Sequence, residues 1–342
     1  MGWTWADCGT PPGTQVAGAV GVFTVDGRAR PRPYAAVIGA DGRLWVNWSD
    51  GDAWHWSNQG APRGGPVVSS VGALTVGRPL AYVIAADGRL WVNHWDGTRW
   101  RWTDRGTPPG QGTAGVGLGV LAVRQWPYPF VVAEDGHLWL NSRDGAAWQW
   151  VDRGAPPGRH LVPTHGTAVT AGGHPYVFAI GSDGHAWVHW WDGMAWHWLD
   201  QGTAGATPVW RALGAVAVSD GPGEPERPYA FYLAGNDPDT RVWTNSWDGR
   251  QWRWSDLGTA GGHSVCLGVG AVAVRDRPYA FVAAHDGHLW LNWWDGSARC
   301  WTDQGVPGGP YIRQPVGAVA VRDRPYAFVA GGDGHLWAHF WE

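Results

Sequence analysis

The chain has 342 residues, a formal net charge of −4 and 16% charged residues, with 53 Gly, 25 Pro and 30 Trp. A balance this close to neutral carries no electrostatic footprint for nucleic acid. All 25 basic residues are Arg, which removes Schiff-base and lysine-base chemistry, and the density of Gly and Pro excludes a long-helix architecture.

In chain order, the sequence opens on Trp3-Thr-Trp-Ala-Asp-Cys-Gly-Thr-Pro-Pro12, a short strand followed by a turn. The N-terminus has no basic region and no apolar stretch of the signal-peptide kind. Nowhere does an apolar run approach the ~18 residues needed to span a bilayer. A cytoplasmic protein, or one released without a classical signal peptide, is expected.

One pattern then recurs: Asp-Gly-x-Leu-Trp-x-Asn-Trp-Trp-Asp-Gly-x-x-Trp-x-Trp-x-Asp-x-Gly. Its leading Asp falls at Asp41, Asp87, Asp135, Asp183, Asp239, Asp286 and Asp333, at intervals of 46, 48, 48, 56, 47 and 47 residues. A fixed period of this length denotes an array of one supersecondary unit. Each unit reads as four strands. In the sixth these are Val269–Val274, Arg277–Ala283, His288–Trp293 and Arg299–Thr302. Asp-Gly pairs mark tight hairpins, for which the favoured turn has φ > 0 at both central residues.

The first strand of each unit is small, as in Val71–Val76, Leu213–Val218 and Val316–Val321. The fourth is bulky, as in Trp100-Arg-Trp102 and Trp252-Arg-Trp254. Inner strands crowd an axis and outer strands fill a widening wedge, which is the gradient of a β-propeller. The last unit stops after three strands, and Trp3-Thr-Trp-Ala-Asp supplies the missing fourth. The expected fold is therefore all-β: a seven-bladed β-propeller of four-stranded antiparallel blades in one domain, 1–342. Residues 1–10 complete the blade formed by about 311–342. This closure removes two free sheet edges.

The Asp-Gly pairs are turn residues rather than catalytic carboxylates. Only Glu134, Glu224, Glu226 and Glu342 are glutamates, so a glycosidase pair is poorly provided for. The Trp that follows Asp-Gly-x-Leu (Trp45, Trp91, Trp139, Trp187, Trp243, Trp290, Trp337) reads as filler between blades. A second group flanks the outer hairpin. Trp95, Trp191, Trp247, Trp294 and Trp341 precede it, Trp48 sits one residue earlier in the first unit, and Trp54, Trp100, Trp148, Trp196 and Trp252 follow it. These are candidate ligand contacts at the rim, because an indole face suits the C–H face of a sugar ring.

Beside them runs a polar column: Asn47, Asn93, Asn141, His189, Asn245, Asn292 and His339. Such groups either read ligand hydroxyls or satisfy local backbone. His185, His288 and His335 recur at one repeat position instead of clustering, so no metal site is expected. No phosphate loop or Ser-His-Asp arrangement is readable, and no cofactor is expected. Cys8, Cys266 and Cys300 show no paired spacing and read as free thiols.

Asp286-Gly-His-Leu-Trp-Leu-Asn-Trp-Trp-Asp-Gly296, followed by Trp301-Thr-Asp-Gln-Gly305, resembles the repeat of the seven-bladed β-propeller lectins of the Photorhabdus fucose-binding type. The similarity runs through every unit. It implies a multivalent carbohydrate-binding protein with glycans or glycoconjugates as partners. Fucose-type or galactose-type sugars would occupy shallow sites between adjacent blades, and the chain would tend to form homo-oligomers. Ser49, Ser142-Arg143 and Arg299 depart from the pattern, which implies degraded sites there.

Two rivals stay open. One is an enzyme on a propeller scaffold, with one site at the axial mouth for a small metabolite. The other is a protein-interaction platform using the Asp220–Asp239 insertion, whose acidic, Pro-rich stretches are Ser219–Glu226 and Asn236–Asp239. The scarcity of acid–base candidates leans away from catalysis.

Overall fold

The computed structural model describes residues 2–26, 30–145, 147–164, 166–221, 223–236, 238–295, 297–309 and 311–342. It contains seven four-stranded antiparallel sheets and, among the described residues, no helix. Blade 1 follows the N-terminal strand and sets the pattern for the rest: an inner strand Val16–Asp26, then Pro31–Gly39, Leu44–Ser49 and an outer strand Trp54–Gly60. The inner strands of blades 2 to 7 are Val67–Val76, Val116–Val123, Thr167–Ala171, Val209–Val218, Val265–Val274 and Ile312–Val321. They begin several residues earlier than the sequence suggests in the sixth blade, where Val265 already pairs with Ala284.

The ends close the ring as expected. β1 (Trp3–Asp7) pairs with the last strand, Leu336–Trp341, in the register Trp3↔Trp341 and Trp5↔His339. Beyond it, Cys8 N donates to Leu336 O and Leu336 N donates to Gly9 O, both at 2.9 Å.

Small residues at the axis have a specific cause. Six inner strands carry a register shift ending at a glycine: Gly21, Gly72, Gly119, Gly214, Gly270 and Gly317. All but Gly214 have φ between 146° and 154°, a conformation that excludes most side chains. A Cβ on Gly270 would also lie 2.9 Å from the backbone nitrogen of Ala318 in the next blade. Blade 4, with its short inner strand, pairs without this bulge.

The core lies between blades. One apolar cluster joins Trp45, Val37 and Ala35 of blade 1 to Val316, Phe328 and Leu336 of blade 7. The filler role of the Asp-Gly-x-Leu-Trp indoles holds: Trp45, Trp91, Trp139 and Trp187 are buried. Most donate their indole N–H to the leading Asp of their own repeat, as Trp290 does to Asp286 at 3.0 Å.

The second Trp of each Trp-x-Trp carries a different bond. Trp56 donates to Cys8 O, Trp102 to Gln59 O, Trp150 to Arg105 O and Trp198 to Arg153 O; Trp254, Trp301 and Trp5 donate to Gln201 O, Leu257 O and Gln304 O. Every blade is thereby tied to its predecessor at 2.6–3.2 Å, all the way round.

The Asp-Gly turns differ from the expected hairpin type. Only the glycine has positive φ, as in Gly51 at 109°. The outer hairpin is a four-residue loop in which Asp50 Oδ1 accepts the amides of Asp52 and Ala53 at 2.9 and 2.8 Å. An Asp side chain does the work that a second left-handed residue would otherwise do.

Candidate functional site

Strand alternation assigns each rim residue to one face of its blade. The column position, the hairpin-flanking Trp positions and the second Trp of Trp-x-Trp share the face toward the preceding blade. Trp54 packs edge-on to Phe328 of blade 7 at 5.8 Å, and Trp252 to Tyr176 of blade 4 at 6.3 Å. The opposite face carries an X-Pro-Tyr tyrosine and the third-strand aromatic next to it in register. Tyr34 stacks on Trp48 at 6.1 Å, Tyr176 on Trp190 at 6.0 Å and Tyr326 on Phe340 at 4.9 Å.

Consecutive blades therefore enclose a crevice on the hairpin face of the propeller. Two of these crevices are open cavities. The one between blades 7 and 1 has a volume of about 390 Å³ and is lined by Tyr326, Phe340, Trp54, Arg32 and Arg324. The one between blades 6 and 7 has about 750 Å³ and is lined by Tyr279, Trp293, Trp3 and Trp341.

The rim indoles face each other in pairs. Trp95 and Trp100 lie 6.0 Å apart, Trp191 and Trp196 5.8 Å, Trp247 and Trp252 5.9 Å, and Trp341 and Trp3 5.5 Å. Among the described residues none of these indole N–H groups has a protein acceptor, so each is an open donor. Trp294 and Trp341 are exposed, and Trp48, Trp54, Trp148 and Trp196 are half-buried.

The polar column does not stand beside these indoles at the surface. Asn47, Asn93, Asn245 and Asn292 have no exposed surface, and Asn141, His189 and His339 have at most 2%. This corrects the expectation that the column presents amides to a ligand. The column lies opposite the second Trp of Trp-x-Trp, one strand pair below the rim, where the facing blade covers it. It is also poorly satisfied: both side-chain polar atoms of Asn93, Asn245 and His189 lack protein partners. Such groups call for enclosed water. His189 lies between Trp196 and Trp198 at 4.8 and 4.4 Å, and His339 between Trp3 and Trp5 at 4.9 and 4.4 Å.

The departures from the repeat act locally. Arg299 stands where other blades have the first Trp of Trp-x-Trp. Its guanidinium donates to Tyr229 OH at 2.9 Å, to Pro278 O at 3.0 Å and to Asn292 Oδ1 at 3.4 Å. It thus fills the crevice between blades 5 and 6. Arg143 replaces the Trp opposite Trp148 and lies over Trp126 at 4.6 Å. Three crevices carry the full set of tyrosine, third-strand Trp and paired rim Trp: Tyr34/Trp48 with Trp95/Trp100, Tyr176/Trp190 with Trp247/Trp252, and Tyr279/Trp293 with Trp341/Trp3.

Sequence reading missed the tyrosine wall. Its signal was present: Pro33, Pro79, Pro127, Pro175, Pro228, Pro278 and Pro325 recur, each followed by Tyr except at Leu80.

The hairpin carboxylates are structural. The Ala195 and Met194 amides, then His197, hold Asp192 down to about 2. The Ala53 amide and His55 depress Asp50 further, and Ala298 and Ser297 do the same for Asp295. At neutral pH none of them is a proton donor. No group of three or more metal-ligating side chains exists among the described residues. The axial channel, of about 800 Å³, is walled by glycine, alanine and valine, and its described lining holds no Asp, Glu or His. The Asp220–Asp239 insertion does not form one platform. Ser219–Glu226 links the first two strands of blade 5 on the hairpin face, whereas Asn236–Asp239 links its second and third strands on the opposite face. Pro222 and Asp237 lie outside the described residues.

No protein-family profile matches the sequence, and no curated protein does. Solved structures do match in fold. SapL1 lectin in complex with alpha methyl fucoside shares 17% identity and a TM-score of 0.56, covering 86% of this chain and 97% of that one. Aleuria aurantia lectin in complex with Fucα1-6GlcNAc shares 13% identity and a TM-score of 0.52, over 86% and 97%. BBS1N in complex with ARL6DN shares 13% identity and a TM-score of 0.58, over 99% and 97%. The Aleuria lectin is six-bladed.

Proposed function

We propose that the protein is a multivalent carbohydrate-binding protein that takes fucose-type or galactose-type sugar ends in the crevices between blades. The observation that carries this reading is the crevice itself. An indole pair faces a tyrosine and a second aromatic, with open indole N–H donors at the lip. An apolar C–H face or deoxy-sugar methyl stacks on the rings, while hydroxyls meet the donors. The two lectin structures that share the fold are bound to fucosides, which supports the choice of sugar class.

A shallow single-sugar site binds weakly, on the order of 0.1–1 mM, or about −4 to −5.5 kcal/mol. Several crevices engaging a glycan-coated surface together raise apparent affinity by roughly 10²–10⁴. The partner is therefore a clustered glycoconjugate. The three crevices with complete aromatic sets set the expected valency.

The test is calorimetric titration with methyl α-L-fucoside and methyl β-D-galactoside, alongside binding to surfaces densely coated with each. About three equivalents per chain are expected. Trp100→Ala should remove one site and weaken surface binding, whereas Trp148→Ala, whose crevice has Arg143, Leu80 and His94, should change neither. Absence of saturable binding to either sugar, free or clustered, refutes the reading.

A further inference from the structure

We propose that the axial channel is an anion-binding site centred on Arg211, distinct from the crevices on the hairpin face. The channel runs along the inner strands with a volume of about 800 Å³. Strand register fixes the equivalents of Arg211 around the ring as Gly18, Ser69, Leu267 and Gln314. Blade 5 alone among these places a charge at this position.

Arg211 is half-buried and, among the described residues, has neither a hydrogen-bond acceptor nor a carboxylate in reach. A guanidinium stays protonated under such conditions and is costly to hold without a counter-charge. The second cation of the lining, Arg313, spends one nitrogen on Val16 O. No described lining residue is acidic, so the channel wall is doubly positive in a chain whose net charge is −4. Each inner strand is also a sheet edge, with backbone N–H groups that no neighbouring strand takes up. Fixed N–H dipoles with a planar five-donor fork recognise oxyanions.

The ligand class is a carboxylate, sulfate or phosphate, free or as the head of a small organic acid that extends along the Gly-rich wall. Calorimetry and thermal unfolding at low ionic strength test this, first with inorganic phosphate and then with n-propyl phosphate, which has no sugar ring to enter the crevices. Wild type should bind one phosphate per chain and gain in Tm. Arg211→Leu should bind at least tenfold more weakly, with Arg211→Lys in between. Near-UV circular dichroism checks that each variant folds, and Arg211→Gln substitutes if Leu does not. Tighter binding of n-propyl phosphate than of phosphate identifies an organic acid as occupant; equal binding identifies the free ion. Trp100→Ala should leave phosphate binding unchanged. No saturable binding by wild type, or undiminished binding by folded Arg211→Leu and Arg211→Gln, overturns the proposal.

Discussion

Two histidines should make this propeller acid-sensitive, and replacing both with asparagine should remove that sensitivity. His189 and His339 occupy the column that holds asparagine in the other five blades. Burial first, and the Arg153 guanidinium second, push His189 down to about 3. Burial pushes His339 down to about 4, against a Thr4 backbone contact that favours the charged ring. In the unfolded chain both titrate near 6.5, so between about pH 6.5 and the folded values the unfolded state binds more protons. Stability then falls as pH falls. At pH 5 each folded ring is still neutral, and the loss relative to pH 7.5 is about 1.36 × 1.5, or about 2 kcal/mol per histidine and about 4 for both.

The assay is urea unfolding followed by Trp fluorescence from pH 7.5 to 5. The His189→Asn/His339→Asn double variant should lose about 4 kcal/mol less than wild type over that range, whatever its stability at pH 7.5. Carboxylates titrate mostly below this window and are common to both proteins. Parallel pH curves would show that neither ring is held neutral by its indole sandwich.

Further predictions concern the ring itself. Trp254→Phe removes the indole bond to Gln201 O and leaves that carbonyl unpaired, at about 1–2 kcal/mol in chemical denaturation. Trp247→Phe, whose N–H has no protein acceptor, should cost much less at the same rim. Gly270→Ala places a Cβ 2.9 Å from Ala318 N at a φ of 154°, so a loss of about 2 kcal/mol or more is expected. Gly221→Ala, with nothing within 4 Å, should be near neutral, and equal losses would remove the packing argument for the axial glycines.

Blade count, closure by residues near Trp3 and the inter-blade role of Trp45 and its equivalents were legible because each depends only on period and alternation. Depth along a blade was not. Alternation puts Asn47 on the same face as Trp54, yet it does not say that the neighbouring blade covers one and leaves the other at the lip. The tyrosine of Arg277-Pro-Tyr279 was read as part of a strand. It becomes a site wall only when the next blade brings Trp341 and Trp3 opposite, a contact between residues about 60 positions apart in one case and across the whole chain in the other. Asp220 and Asp239 looked like one insertion because sequence proximity hides a strand that crosses the whole blade.

The indole-to-carbonyl ties make the place where the ring opens arbitrary. Trp5 donates backward to Gln304 O, and three residues later Cys8 O accepts from Trp56, so the first strand serves both neighbours as every other outer strand does. The chain ends also meet where other blades have a hairpin, with Glu342 N donating to Gly2 O at 3.0 Å. Circular permutants in which a short linker joins Gly2 to Glu342 and the chain is opened in any loop from an outer to an inner strand should keep all seven ties.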